Sequence, residues 1–436
     1  MNYKYTEIVD YLRGEIEKDS GSGKLPSIRG LAIKFGCSNS TVIKAYSELE
    51  SLGLVFSAPK SGYYIHRNPR EHTETADFYS GVPSSRNLPL DSLARATTLT
   101  MEEKNSSLLN YSYPMGYNLL REHLLLELHQ PDLALDSVLI TSGAQSALSL
   151  FFETEKSWGK VLVEDPTYNI ALSMLELQEI PYDMVRRTRE GLDLEAMEEK
   201  LKTEKYRLFY TMSRNHNPLG TDLSPETMAR VVDLSRTYGF YILEDDYLAE
   251  LSKGPTFFSM APDRTIYVRS YSKTISPALK LAHVIMPPAW IKSIGYRVTY
   301  LNLSASLLHQ AVLLKYLKSE MYPRDMARLK EKVKQNIMIF RNAVADFPFD
   351  LHVPELGFFA SLHFPADFKL EALLENLQAK GHRFRDFTGF TRSEDKVLRV
   401  SLTRVEPDKV NASIRELVRE VHLMRGEKDD KNKIYL

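Results

Sequence analysis

Cysteine is nearly absent from this 436-residue chain, and its one copy, Cys37, cannot form a disulfide within it. A disulfide-stapled fold is excluded, and a reducing, cytoplasmic setting fits. A lone thiol is usually a small buried hydrophobe, so Cys37 is expected in a core. An excess of either charge is also missing: 56 Lys and Arg face 57 Asp and Glu, a formal net charge of −1. That excludes a wholesale coat for nucleic acid but leaves room for a local basic face. Long apolar runs are lacking as well. Met1-Asn2-Tyr3-Lys4 opens no signal-like apolar core, and no stretch reaches the roughly 20 residues that span a bilayer. No internal repeat is visible, and no metal site is expected. What remains is ordinary globular composition, 43% hydrophobic and 26% charged. The length exceeds what one core usually serves, so two or more domains are expected.

Residues 1–66 read as a helical unit closed by a hairpin. Ile8, Tyr11, Leu12 and Ile16 recur at helical spacing, and Gly21-Ser22-Gly23 breaks the pattern. Pro26-Ser27 opens a second helix through Leu31, Ala32 and Phe35 that ends at Gly36. Ser38 or Ser40 can cap a third, carrying Val42, Ala45, Tyr46, Leu49 and Leu52. Leu54-Val55-Phe56 and Tyr63-Tyr64-Ile65 then form two short strands, which completes an α+β winged helix-turn-helix layout. Residues 1–70 hold ten basic and seven acidic side chains, a modest local excess of three. Placement says more. Arg29, Lys44, Lys60 and Arg67 fall near the third helix and the wing. Asn39, Ser40 and Thr41 are polar groups suited to base edges, and Arg29 and Lys44 suit phosphates. A small helical protein-interaction module with solvated lysines is the competing account.

Residues 67–76 are polar and read as a linker. From about residue 77 to 424, short apolar runs of the buried-strand type alternate with helical patterns. Val161-Val163, Leu208-Tyr210, Tyr241-Leu243, Ile266-Val268 and Val284-Met286 are the clearest. The alternation argues for an α/β domain with a mostly parallel sheet flanked by helices. A smaller subdomain is expected over about 300–424, and a polar tail over 425–436.

Three pieces of this second domain, in order, carry a definite chemistry. They are Asn217-Pro218-Leu219-Gly220, Glu244-Asp245-Asp246-Tyr247 and Ser270-Tyr271-Ser272-Lys273. An amine that forms an imine with an aldehyde, a carboxylate for a pyridinium nitrogen and neutral donors for a ring hydroxyl are what pyridoxal 5'-phosphate requires. Lys273 is the candidate Schiff-base residue, Asp245 the pyridinium partner, and Tyr247 and Asn217 the donors. Thr141-Ser142-Gly143-Ala144-Gln145 follows a strand and opens a helix, so Gly143, Ala144 and Gln145 can cradle a phosphate. Tyr168 can stack on the ring. Arg399, in an otherwise apolar strand, wants a partner, either an effector carboxylate or an internal acid. Taken singly, each residue has a bland explanation as a surface lysine, turn carboxylate or core tyrosine.

Leu25-Pro26-Ser27-Ile28-Arg29-Gly30-Leu31-Ala32, Ser40-Thr41-Val42, Ala45-Tyr46-Ser47-Glu48-Leu49 and Ser61-Gly62 closely resemble the GntR-type winged-helix domain. The resemblance implies that Arg29 contacts phosphate, that Asn39 to Lys44 enter the major groove, and that Lys60 to Gly62 form the wing tip. The second domain resembles the fold-type I aminotransferases, and the whole chain resembles the MocR/GabR-type transcriptional regulators. Tyr111, in Tyr111-Ser112-Tyr113-Pro114, matches the family tyrosine that reaches the cofactor phosphate of the opposite subunit, which implies a homodimer. Ser270 and Ser272 join the implied cofactor contacts. Two departures stand out. Lys280 replaces the arginine that forks onto the phosphate, keeping the charge but not the bidentate geometry. Leu219 replaces the small hydroxyl residue of Asn-Pro-Thr-Gly.

The expected function is therefore a transcriptional regulator that binds a double-stranded DNA operator and senses an amino compound, or the cofactor itself, through the imine at Lys273. A working aminotransferase carrying a DNA-binding domain is the alternative, and a cofactor-free binding module on this fold is a third.

Overall fold

The computed structural model describes residues 4–18, 23–51, 54–58, 62–65, 76–84, 87–128, 133–301, 304–387, 391 and 396–426. The chain divides into two compact units, Met1–Glu74 and Thr75–Leu436.

In the first unit, helices Lys4–Lys18, Ile28–Phe35 and Asn39–Ser51 precede the antiparallel strands Val55–Ala58 and Gly62–Ile65. Ile8, Val9 and Leu12 bury one face of the first helix in a core shared with Leu31, Val42, Ala45 and Leu49, as three-and-four spacing dictates. Ser27 accepts the Gly30 N–H and caps the second helix, and Gly36, in left-handed backbone, ends it. Only Gly36, Cys37 and Ser38 separate the second and third helices. Ser38 rather than Ser40 caps the third, accepting the Thr41 N–H at 3.2 Å. Cys37 is half-buried at the edge of the core rather than inside it. It occupies the turn, where its N–H closes the preceding helix on the Ala32 carbonyl. Tyr46 stacks on Tyr63 with ring centroids 3.9 Å apart, which ties the third helix to the hairpin.

The second unit is built on an eight-stranded sheet. Its order is Val138–Thr141, Ala282–Ile285, Thr265–Ser270, Tyr241–Asp245, Tyr206–Thr211, Lys160–Asp165, Tyr182–Thr188 and Gly191–Leu192. The five strands from Thr265–Ser270 to Tyr182–Thr188 run parallel to one another. Ala282–Ile285 is antiparallel to both neighbours, so Val138–Thr141 points the same way as the parallel set. The central residues of these strands, such as Val161-Leu162-Val163, Leu208-Phe209-Tyr210 and Ile242-Leu243, are apolar and buried because helices cover both faces. A second, antiparallel sheet holds Leu351–His352, Phe359–Phe364, Lys396–Ser401 and Arg385–Asp386. It packs with helices Met321–Ala343, Leu370–Ala379 and Pro407–Met424 to form a smaller lobe. Helix Leu307–Leu317 packs on helices Leu90–Glu102 and Asn118–Glu127 and also touches Met321–Ala343.

Ala76, expected in the linker, is buried and paired with His382, so it belongs to the second unit. The rest of that linker and the tail beyond Gly426 lie outside the described residues. Among the described residues no helix is long and apolar enough to cross a membrane, and no cluster of His, Cys, Asp or Glu fits a metal ion.

Candidate functional site

Parallel strands that end on one side leave their carboxyl ends, and the loops after them, facing a common crevice. Here five loops converge that way. Gly143 follows Val138–Thr141, Tyr168 follows Lys160–Asp165, and Met212 follows Tyr206–Thr211. Asp245 is the last residue of Tyr241–Asp245, a strand two residues longer than its apolar run, and Lys273 follows Thr265–Ser270. With Lys280, just before Ala282–Ile285, they line a cavity of about 410 Å³.

Burial sets the electrostatics of this cavity. It lowers the Lys273 ammonium to about 8, helped by the Arg399 charge and opposed by Asp245. Burial raises the Asp245 carboxyl to about 7, with the Tyr210 hydroxyl pulling it down and Asp246 pushing it up. Asp245 Oδ2 accepts from Tyr210 at 3.2 Å. Its Oδ1 is buried with no hydrogen-bond partner among the described residues. A buried carboxylate oxygen at the floor of a cavity suits a cationic N–H, which supplies both charge and hydrogen.

The far end of the cavity suits an anion. Helix Ala144–Glu153 begins there, and the N–H groups of its first turn have no partner within the helix. Gly143 takes φ 88° at its start, a conformation glycine adopts without strain. Lys280 lies alongside, with its Cγ 3.7 Å from where a Gly143 side chain would begin. Gln145 Nε2 donates to the Tyr168 hydroxyl at 3.1 Å.

The smaller lobe supplies the roof. Arg399, 3% exposed, donates to Asn217 Oδ1 at 2.8 Å and to the Tyr79 carbonyl at 2.6 Å. Its guanidinium also lies 4.1 Å from the Phe359 ring centroid. Burial lowers it to about 10, with Arg385 as the next cause, so it stays cationic at neutral pH. Tyr247 donates its hydroxyl to the Asn215 carbonyl at 2.6 Å. Behind Asn217 sits a fully buried group of charges. Glu164 pairs with Arg187 and accepts from Thr211 Oγ1 and the Met212 N–H. Burial would raise this acid, yet Arg187 and His216 hold it at about 2. Burial and Arg187 lower His216 to about 4, so its ring is neutral. Its Nδ1 accepts the Leu219 N–H at 3.3 Å, and its Nε2 lies 3.2 Å from Glu164. These contacts fix both ends of the Asn217 loop.

The structure thus brings Lys273, Asp245, Tyr247, Asn217, Tyr168, Gly143, Ala144, Gln145, Ser270, Ser272, Lys280 and Arg399 to one cavity. Tyr111 does not line it and is 92% exposed on the surface. Sequence reasoning missed Tyr79, Met212, Phe359 and Arg385, which also line the cavity. Only Arg385 left a trace, as a charged residue between Phe384 and Phe387.

On the first unit, Arg29, Asn39, Ser40 and Lys44 are exposed, and Thr41 is half-buried. Ser38 Oγ lies 2.7 Å from Ser40 Oγ and 2.9 Å from Thr41 Oγ1. Lys44 Nζ sits 4.4 Å from the Tyr5 ring centroid. Gly62 is exposed with φ 112°, and Lys60 lies outside the described residues.

Comparison with known proteins agrees with this division. Residues 4–65 match the bacterial regulatory proteins of the gntR family. Residues 73–417 match aminotransferase class I and II. The uncharacterized HTH-type transcriptional regulator YcxD of Bacillus subtilis (strain 168) is 34% identical over 334 residues, covering 74% of this chain and 75% of that protein. The uncharacterized HTH-type transcriptional regulator YdcR of Escherichia coli (strain K12) is 26% identical over 405 residues, covering 83% and 86%. Among solved structures, the α-aminoadipate aminotransferase LysN of Thermus thermophilus superposes with a TM-score of 0.73 at 24% identity, covering 87% of this chain and 99% of that one. The second unit therefore has the fold of the fold-type I aminotransferases. With its gntR-family domain, the chain belongs to the MocR/GabR-type regulators.

Proposed function

We propose that this chain is a DNA-binding transcriptional regulator that holds pyridoxal 5'-phosphate in the cavity of its second unit and responds there to a small amino compound or to the cofactor itself. The observation that carries the reading is the meeting, in one cavity, of a half-buried lysine and a buried carboxylate with one oxygen unpartnered among the described residues. When bound, pyridoxal phosphate supplies an aldehyde for an amine and an electron-poor ring. Lys273, with its ammonium lowered to about 8, offers the amine. Asp245 holds a proton on the ring nitrogen. The first turn at Gly143, Ala144 and Gln145 receives the phosphate with Lys280, while Ser270 and Ser272 flank the lysine. Tyr168 lies against the ring, Asn217 and Tyr247 face its hydroxyl, and Arg399 receives a carboxylate.

On the first unit, Arg29 and Lys44 meet DNA phosphates, Asn39, Ser40 and Thr41 meet base edges, and Lys60 and Gly62 form the wing tip. The exposed Tyr111 serves a second copy of the chain, in a cytoplasmic homodimer with shared sites. An effector shifts such a dimer only through different affinities for its DNA-binding states. A near-visible band that forms on adding the cofactor and is lost in Lys273→Ala tests the cofactor half of this reading. Operator binding by the full chain, abolished on deleting residues 1–66, tests the DNA-binding half. The lowered ammonium of Lys273 also suits an aminotransferase. Steady amino transfer at enzyme-like rates would favour that function instead.

A further inference from the structure

We propose that Tyr210 is a positioning residue for Asp245: its hydroxyl takes up one carboxylate oxygen and leaves the other to receive the ring N–H of the bound cofactor. This rests on the cofactor reading above and adds to it a residue that does not line the cavity.

Strand register brings the two side chains together. Tyr206–Thr211 and Tyr241–Asp245 are parallel neighbours, with Tyr210 opposite Leu243. Side chains two apart on a strand share a face, so Asp245 lies on the face of Leu243 and Tyr210, and Glu244 on the other. A long aromatic side chain spans that diagonal, and the Tyr210 hydroxyl donates to Asp245 Oδ2 at 3.2 Å. Packing holds the ring in place. Tyr210 is fully buried and meets Phe152 edge-on, with ring centroids 5.7 Å apart. Phe152 belongs to helix Ala144–Glu153, whose first turn lines the same cavity.

The bond runs in one direction. Burial, and after it the Asp245 charge, push the Tyr210 hydroxyl well above its ordinary range, so it keeps its proton and donates. Asp245 has no other donor among the described residues, and its Oδ1 is buried without a partner. The flanking acids are served separately. Glu244 accepts from Ser213 and from the N–H groups of Phe257 and Phe258, and Asp246 from Arg214 and Tyr267. Tyr168 and Tyr247 also feel the Asp245 charge, and burial keeps both hydroxyls protonated. Against burial and the Asp246 charge, the Tyr210 hydrogen bond favours the anionic form of Asp245, with Lys273 helping through its charge. A carboxyl that kept its proton would offer an O–H to the ring nitrogen instead of accepting from it.

Tyr210→Phe deletes the hydroxyl and keeps the ring against Phe152. In the cofactor-free full chain, the Asp245 carboxyl is titrated by NMR of isotope-labelled aspartate, using the signal that is lost in Asp245→Asn. Its midpoint is expected to rise by about one pH unit in Tyr210→Phe, the scale of one hydrogen bond to a charged acceptor. An unchanged midpoint overturns the proposal.

Two probes without an aldehyde, which do not engage the chemistry of Lys273, read the consequence for the ring. They are pyridoxine 5'-phosphate and its deaza analogue, which carries C–H in place of the ring nitrogen. By calorimetry just above neutral pH, wild type is expected to bind the first at least about tenfold tighter. Tyr210→Phe is expected to cut that preference by at least about threefold without weakening the deaza analogue. In an Asp245→Asn background the same substitution should leave the preference unchanged. An equal loss of both probes in Tyr210→Phe would mean that the tyrosine only packs, and overturns the proposal. If wild type binds neither probe, or both alike, the cofactor reading fails, and the carboxyl titration still decides whether Tyr210 holds Asp245.

Discussion

Arg399 Nη1 donates to Asn217 Oδ1 across 2.8 Å, joining a strand of the smaller lobe to the loop that follows the strand Tyr206–Thr211. Sequence reasoning assigned these side chains to different ligands, a carboxylate and a ring hydroxyl. The structure makes them one unit, so a ligand that touches either one also acts on the other. It also links the two lobes of the second unit at the cavity itself.

Asn217→Ala deletes that acceptor and leaves a buried guanidinium short of one partner. Such a loss costs about 1–3 kcal/mol when the group cannot reach water. The Tyr79 carbonyl still holds Nη2, so the fold survives. Urea denaturation should show the midpoint fall with the slope unchanged, and an unaltered midpoint would mean that the bond contributes nothing net.

Lys273 should load the cofactor with an unusual pH dependence. Its ammonium is lowered to about 8 by burial and then by Arg399, so the neutral amine is plentiful at a pH where an ordinary lysine is almost wholly charged. The rate of band formation at fixed cofactor concentration should rise through pH 7 and level off just above 8. A rate still rising tenfold per unit at pH 9.5 would show that Lys273 is not perturbed.

Asp245 gives a stability test in the cofactor-free chain. Its folded carboxyl, raised to about 7 by burial, binds a proton that the unfolded chain releases near pH 4. The contribution is therefore fully present below about pH 4 and lost as pH rises through about 7. Glu244 is also raised to about 7 by burial, so wild type alone cannot isolate the effect. The difference in thermal midpoint between wild type and Asp245→Asn can, because Glu244 is common to both. Wild type should lose ground to the variant between pH 5 and pH 8.

The parts of this site that could be read from sequence are those whose chemistry is attached to a local motif. Lys273, Asp245 and Gly143 each stand where an apolar strand gives way to a loop, and parallel strands bring such loops together. The linked helices of the first unit were legible for a similar reason, since capping by Ser27 and termination by Gly36 are local events. Arg385 and Tyr79 were not legible. Arg385 reaches the cavity only because strand register sets it opposite Arg399. Tyr79 does so because the segment after Ala76–Asp77 runs along the smaller lobe, where Phe78 accepts the Ser401 N–H. The burial of Cys37 was misjudged for the converse reason: residue type suggested a core, but its turn holds it at the edge.

Gly220 shows how tightly the lobes meet near Asn217. A Cβ there would fall 2.2 Å from the Phe359 carbonyl oxygen, and φ is 74°. Gly220→Ala therefore combines left-handed backbone with a clash against main chain that no rotamer change relieves. Destabilisation of at least about 2 kcal/mol is expected. Since Phe359 lines the cavity, cofactor affinity should fall with stability, which a fluorescence titration of the variant would show.

Glu164 and Arg187 supply the last test, because both side chains are fully buried. Removing one member of a buried ion pair strands the other charge, at about 3–5 kcal/mol. Glu164→Gln keeps the shape and some hydrogen bonding to Thr211 and Met212 but leaves Arg187 without its anion. The Arg187 bonds to the Met212 and Thr221 carbonyls remain, so the loss should fall at the lower end of that range. Replacing both residues at once, Glu164→Gln with Arg187→Met, removes the stranded cation. The double variant should therefore be more stable than Glu164→Gln alone. If chemical denaturation instead finds the two substitutions additive, the pair does not act as a coupled support beneath the Asn217 loop.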